Sequence, residues 1–294
     1  MELHMDPSDT PVLAAATVVM LRDAPGGLEV FLLKRHGLSD VLGGVYVFPG
    51  GKVDFKDARL DMHAHLDAPL HALHAALGEA DIDELSAAVL HVAAVREAFE
   101  ETGVLYAQGI DAVGAARALQ LLREGRAFDD MLAVLGLRLA ASRLQPWSRW
   151  ITPSVGGVMR KRFDTRFFIA AAPEGQVARH DDHEATDSAW LAPREALRQY
   201  WDGLIELAPP QIMSLAHLAR YDTVRAALEH ARRRPPPVIL PEAFEHDGIR
   251  IMCYPGDERH TVRERALPGP TRLHYRNRRF EPSGGFEGLF ALDR

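Results

Sequence analysis

The stretch "HVAAVREAFEETGVL", His91–Leu105, decides how the rest of the chain is read. It continues a helical pattern in which Leu85, Val89, Val92, Val95 and Phe99 recur every three or four residues and form one apolar stripe. Asp81 or Asp83 can cap the start, and Gly103 is placed to end the helix in the left-handed conformation. At about 100° per residue, Glu97 and Glu101 fall opposite Phe99 and Glu100 falls to one side. The three glutamates therefore share the face expected outside the core. Their position is costly: a carboxylate in the last turn opposes the helix dipole by about 0.3–1 kcal/mol. Glu97 and Glu101 also repel as a like-charge pair four apart, and an Arg96–Glu100 pair offsets only part of this.

An arrangement kept against its own stability usually serves a site. A divalent cation would relieve the repulsion. Three hard oxygen donors on one helix face suit Mg²⁺ or Mn²⁺ and leave positions for water and a substrate phosphate. The bland alternative is a solvated acidic helix end.

Working outward, "AAATVVMLR" and "LEVFLLKR" flank the turn "DAPGG" and predict a β-hairpin. "GGVYVFPGGKVD" predicts a third short strand and a Pro-Gly-Gly loop whose backbone can approach a ligand closely. Residues 58–79 predict one or two short helices. Their histidines (His63, His65, His71, His74) read as a solvated face rather than a metal site, since no cysteine or tight ligand spacing accompanies them. A helical segment follows, then strands at "WSRWITPSV" and "KRFDTRFFIAAA", and a loop, strand and helix over "HEATDSAWLAPREALRQYWDG". "PPQIMSLAHLARYDTVRAALEHARRR" predicts one long closing helix, and "RPPPVILP" a stiff polyproline stretch. Strands alternating with helices indicate an α/β layered fold.

Composition narrows the function. The 294 residues are 47% hydrophobic and carry a net charge of −7 with no long run of either sign, which argues against a nucleic-acid or anionic-membrane binder. Cys253, the single cysteine, excludes an internal disulfide framework and reads as a small buried hydrophobe. The longest apolar run, Val12–Leu21, is too short to span a bilayer. A cytoplasmic protein without a membrane partner is expected.

Gly51 and "REAFEETGV" together resemble the two ends of the Nudix box, G-x5-E-x7-R-E-U-x-E-E-x-G-U with U apolar. Arg96, Glu97, Ala98, Glu100, Glu101, Gly103 and Val104 match its second half. Two departures stand out. Asp57 occupies the first-half glutamate position, and Gly51 to Arg96 spans about 31 residues more than the pattern allows. A subgroup of Nudix hydrolases that includes a coenzyme A diphosphatase carries such an insertion. "LGGVYVFPGGKVD", "SRWITP" and "KRFDTRFF" resemble it too, over roughly residues 12–225.

The resemblance implies a Nudix-type α/β/α sandwich with a mixed sheet over 1–234, a helical insertion at about 58–88, and a C-terminal extension, 235–294, of unassigned role. It implies metal-dependent hydrolysis of the diphosphate bond in a nucleoside diphosphate derivative, foremost coenzyme A or acyl-coenzyme A. ADP-ribose, NADH or a nucleotide sugar is the alternative substrate. A non-catalytic nucleotide-sensing domain is the alternative of another class, opposed by the retention of all three box glutamates. Glu97, Glu101 and Glu100 are the implied ligands of Mg²⁺ or Mn²⁺, with a Gly51 or Gly50 carbonyl in support. Glu100, Glu97 and, from a later loop, Glu184 are the candidate general bases. Arg35, Arg162 and Arg166 are candidate phosphate contacts, and Phe48 and Trp150 are candidate stacking surfaces for which core packing is the favoured reading. Arg96 borders the substrate site and is expected to orient the glutamates. The partner is a small nucleotide, and a homodimer contact is one of the roles open to the insertion.

Overall fold

The computed structural model describes residues 11–37, 43–154, 161–181 and 185–291. Strands β1 (Val12–Ala24) and β2 (Gly27–Arg35) form the expected hairpin, in register from Leu21↔Val30 to Ala24↔Gly27. Two short strands follow, β3 (Tyr46–Val47) and β4 (Gly50–Lys52), then helices α1 (Met62–His65), α2 (Leu70–Leu77), α3 (Glu84–Thr102), α4 (Ala112–Arg123) and α5 (Phe128–Leu135). Strands β5 (Gln145–Ile151), β6 (Arg162–Ala171) and β7 (Ala185–Leu191) lead to helices α6 (Pro193–Trp201), α7 (Pro209–Leu218) and α8 (Val224–Arg232). The chain closes with β8 (Val238–Ile239), β9 (Glu242–His246), β10 (Ile249–Cys253), β11 (Arg272–Arg276) and β12 (Arg279–Glu281).

The main sheet has the order β3-β2-β1-β6-β5-β8, with β7 added on β2 and β4 on β1. It is mixed, because β1 runs parallel to β6 and β5 parallel to β8 while the other pairs are antiparallel. Alternation along β1 sends Ala16, Val18 and Met20 into a core shared with α2–α5, and Val19 and Leu21 into a second core under α6–α8. Two apolar layers on the two faces of one sheet make the α/β/α sandwich.

Helix α3 starts as predicted. Asp83 accepts from the Ser86 amide at 2.7 Å, and Gly103 ends the helix at φ 70°. The single-stripe expectation fails in two places. Leu85 is exposed, whereas Ala87, Ala88, His91, Ala94 and Ala98 on other faces are buried. The reason is the insertion, whose Leu60, Met62, Leu66, Leu73 and Leu77 cover a side of α3 that would otherwise face water. Of the four insertion histidines, His65 and His74 hydrogen-bond the Leu137 and Glu79 carbonyls, while His63 and His71 are exposed.

Two other expectations are corrected. The predicted closing helix breaks into α7 and α8, because Thr223 caps a new helix start through the Ala226 amide and Asp23 accepts from the Val224 amide. The "PPPVILP" stretch does not stay apart as polyproline, since Val238 and Ile239 pair with Arg149 and Trp150 as β8. Beyond it, β9–β12 form an antiparallel meander seated on the second core. Tyr254 meets Trp150 edge-on at 5.9 Å, and the Tyr200 hydroxyl bridges the Phe280 amide and carbonyl. Cys253 is buried as expected, and burial pushes its thiol up to about 11.

The insertion ends on a buried ion network. Glu79, 8% exposed, accepts two bonds from Arg166 at 3.0 and 2.6 Å and forms an ion pair with Arg149 at 2.8 Å. Asp164 completes the network by pairing with both arginines. Removing one member of such a network leaves a buried charge without its partner. Glu79→Ala is expected to lower the unfolding free energy by about 3 kcal/mol, read from denaturant midpoints; an unchanged midpoint would mean that Asp164 alone neutralises both guanidinium groups.

Candidate active site

The site forms where β1 divides its edge between two partners. Its far end pairs with β2, while Ala15–Thr17 pair with Lys52–Gly50 of β4. The two glycines of β4 lie against the acidic end of α3. The Gly50 amide donates to Glu101 Oε2 at 2.8 Å. At Gly51 the approach is closer still, since a Cβ built there would stand 2.6 Å from the Glu97 carboxylate. A Cβ on Gly50 would stand 2.5 Å from the Ala16 carbonyl oxygen. Gly50 excludes a side chain against backbone, whereas a side chain at Gly51 would push the Glu97 carboxylate out of its place.

Arg96 holds the carboxylates from the other side. Its Nε and Nη2 bind Asp57 at 2.6 and 2.9 Å in a bidentate fork. Its Nη1 donates to Glu97 Oε1 and Glu100 Oε2, both at 2.9 Å, and Nη2 also reaches the Lys52 carbonyl. Burial works against the Arg96 charge, but the bonds to Asp57 and the fields of Glu97, Asp57 and Glu100 outweigh it and raise its pKa. Asp57, 2% exposed, additionally accepts from the Asp54 amide and fixes the 3-10 turn Phe55–Arg59. The two halves of the box meet through this pair, 39 positions apart in sequence.

The glutamates differ in environment. Glu101 is buried, the Glu97 side chain is 14% exposed and that of Glu100 is 42% exposed. The face opposite Phe99 is thus covered by β4 rather than open, which corrects the expectation for Glu101. Among the described residues no group of three or more His, Cys, Asp or Glu side chains is already arranged to hold a metal ion. The donor set nonetheless fits a hard cation: carboxylate oxygens only, steered by glycine backbone and by one guanidinium.

Two recesses meet beside Glu100. One, of about 690 Å³, runs between α3, the 3-10 turn and the α4–α5 connection; the other, of about 440 Å³, lies between α4 and residues 176–181. Glu100, Leu119, Arg123 and Asp181 border both.

The remaining candidates lie elsewhere. Phe48 is in the second core, edge-on to Phe167 at 6.2 Å, so its ring is packing rather than a stacking surface. Arg166 belongs to the buried Glu79 network, which corrects its reading as a phosphate contact. Arg162 donates to the Thr152 carbonyl at the start of β6. Arg35 ends β2 with its Nε buried and without a hydrogen-bond partner among the described residues. None of Arg35, Arg162 and Arg166 lines either recess. Glu184 falls outside the described residues. The sequence reading also passed over Glu79 and over Lys56, Arg123 and Arg126, which line the larger recess. For Arg123 and Arg126 the sequence offered no signal beyond two basic residues near a helix end.

Residues 7–218 match the family described as the NUDT19 Nudix domain. The acyl-coenzyme A diphosphatase NUDT19 of Homo sapiens is 29% identical over 277 residues, covering 79% of this chain and 72% of that protein. The Xenopus laevis protein of the same name is 27% identical over 274 residues, covering 78% of this chain and 70% of its own. Among solved structures, a Nudix hydrolase from Alicyclobacillus acidocaldarius superposes with a TM-score of 0.60 at 27% identity, over 76% of this chain and 97% of that one. With its box closed in space across the insertion and a family match over most of its length, the chain belongs to the NUDT19 Nudix domain family and is a Nudix hydrolase.

Proposed function

We propose that the enzyme hydrolyses the diphosphate bond of coenzyme A or its acyl esters with the help of Mg²⁺ or Mn²⁺. The observation that carries this reading is the contact of Gly50 and Gly51 with Glu101 and Glu97, which gathers hard oxygen donors at one end of α3. The substrate class is supported by the name the vertebrate relatives carry, acyl-coenzyme A diphosphatase. The two recesses that meet at Glu100 also suit a diphosphate carrying a large group on each side.

In this reading Glu97 and Glu101 hold the cation, which when bound neutralises diphosphate charge. Arg96, fixed by Asp57, keeps the Glu97 and Glu100 carboxylates turned toward the site. Glu100 is the most exposed of the three and borders both recesses, which supports assigning it to take the proton of the attacking water. Oxygen from that water bonds to one phosphorus as the bridging P–O bond breaks. Phosphopantetheine, or its acyl form, and 3′,5′-ADP leave.

Glu97→Gln and Glu101→Gln should keep the fold, because a glutamine carbonyl at 101 can still accept the Gly50 amide and one at 97 the Arg96 Nη1, yet should weaken Mn²⁺ binding by about tenfold or more, measured by calorimetry or electron spin resonance. Wild-type affinity in both variants would remove these residues from metal binding. A panel of coenzyme A, acetyl-coenzyme A, ADP-ribose, NADH and a nucleotide sugar, scored by released product, is expected to give its highest kcat/KM on the two coenzyme A compounds; equal values across the panel would defeat the substrate assignment.

A further inference from the structure

We infer that the larger recess is a subsite for a phosphate monoester on the nucleoside arm of the substrate, read by Arg123 and Arg126. Charge accounting within the recess carries the inference. Five carboxylates line it, and four have a partner of known identity. Asp57 and Glu100 are bound by Arg96, Asp54 accepts from the Lys56 amide, and Asp129 stands 4.0 Å from Arg59. The fifth, Asp181, is engaged as well.

The cations divide differently. Arg96 is spent on Asp57, Glu97 and Glu100. Lys56, Arg123 and Arg126 line the same recess, and none of their side chains has a hydrogen bond or ion pair among the described residues. The recess therefore presents cationic side chains that no carboxylate holds by a hydrogen bond or ion pair among the described residues.

Shape supports the same conclusion. Arg123 closes α4 and Arg126 follows Gly125, which turns the chain at φ 87°, so the two guanidinium groups come from the two sides of one tight bend. Leu119, Leu122 and Phe128 supply apolar wall beside them, enough for an uncharged ring next to a charged group. With the diphosphate assigned to Glu97–Glu101, Arg123 and Arg126 of the bend after α4 are left to meet a second anion on the same ligand. A guanidinium pair meets a phosphate monoester through charge-assisted, bidentate bonds. A nucleoside diphosphate derivative with an additional ribose phosphate has that anion, and one without it does not.

The inference rests on the diphosphate reading of the site only for where the diphosphate lies, and its test does not require turnover. Binding of 3′,5′-ADP and of 5′-AMP would be measured by calorimetry on the wild type and on the Arg123→Ala/Arg126→Ala double variant. Both side chains are exposed, so the variant is expected to fold. Wild type should bind 3′,5′-ADP at least about tenfold more tightly than 5′-AMP, and the double variant should bind the two alike. Equal binding in wild type, or an undiminished preference in the variant, would overturn the subsite. A preserved preference for the 3′-phosphate in an enzyme that does not hydrolyse coenzyme A would instead overturn the substrate proposed above and leave the subsite standing.

Discussion

Backbone without side chains, pressed against carboxylates, is the constraint on which this molecule depends. Glu97 and Glu101 sit at the negative end of a helix and four residues apart, an arrangement each would avoid alone. They are held there because Gly51 leaves room for one and the Gly50 amide binds the other. The division of the β1 edge makes this contact, since β4 could not reach α3 if β2 ran the full length of β1.

Arg96 supplies what the glycines cannot, a charge that reaches both halves of the box. A buried Asp57–Arg96 pair contributes little net stability, because desolvation consumes most of its Coulomb energy. Its value lies in geometry. Closing a loop about 31 residues longer than the family pattern costs only about 1 kcal/mol of chain entropy. The apolar surface that Leu60, Met62, Leu66, Leu73 and Leu77 bury on α3 is ample compensation. The insertion is thereby part of the core beside the site.

How much of this was legible in the sequence depends on whether a feature is local. The hairpin, the caps of α3 and the spacing of the glutamates follow from turn chemistry and helical period. Asp57 could be placed by its distance from Gly51, because the 3-10 turn that positions it is local too. Tertiary partners were not legible. Arg166 alternates with Phe163, Thr165 and Phe167 as a solvent-facing strand residue would, and only the return of the chain at Glu79 buries it. Phe48, adjacent to the glycine loop, reads as core or as a ligand contact and is core, since whether a strand end faces a ligand or a second layer depends on helices more than a hundred residues away. The cations of the larger recess were hidden for the same reason.

The two ends of the insertion have one further consequence. It leaves the box at Asp57 and returns at Glu79, and each of these residues is buried on an arginine belonging to another element. An excision that joined the first end straight to α3 would spare the Asp57 clasp but leave Arg149 and Arg166 to share Asp164 without Glu79. Shortening this chain toward the ordinary Nudix spacing therefore removes counter-charge from β5 and β6, so the detour and the strands beneath it are electrostatically coupled.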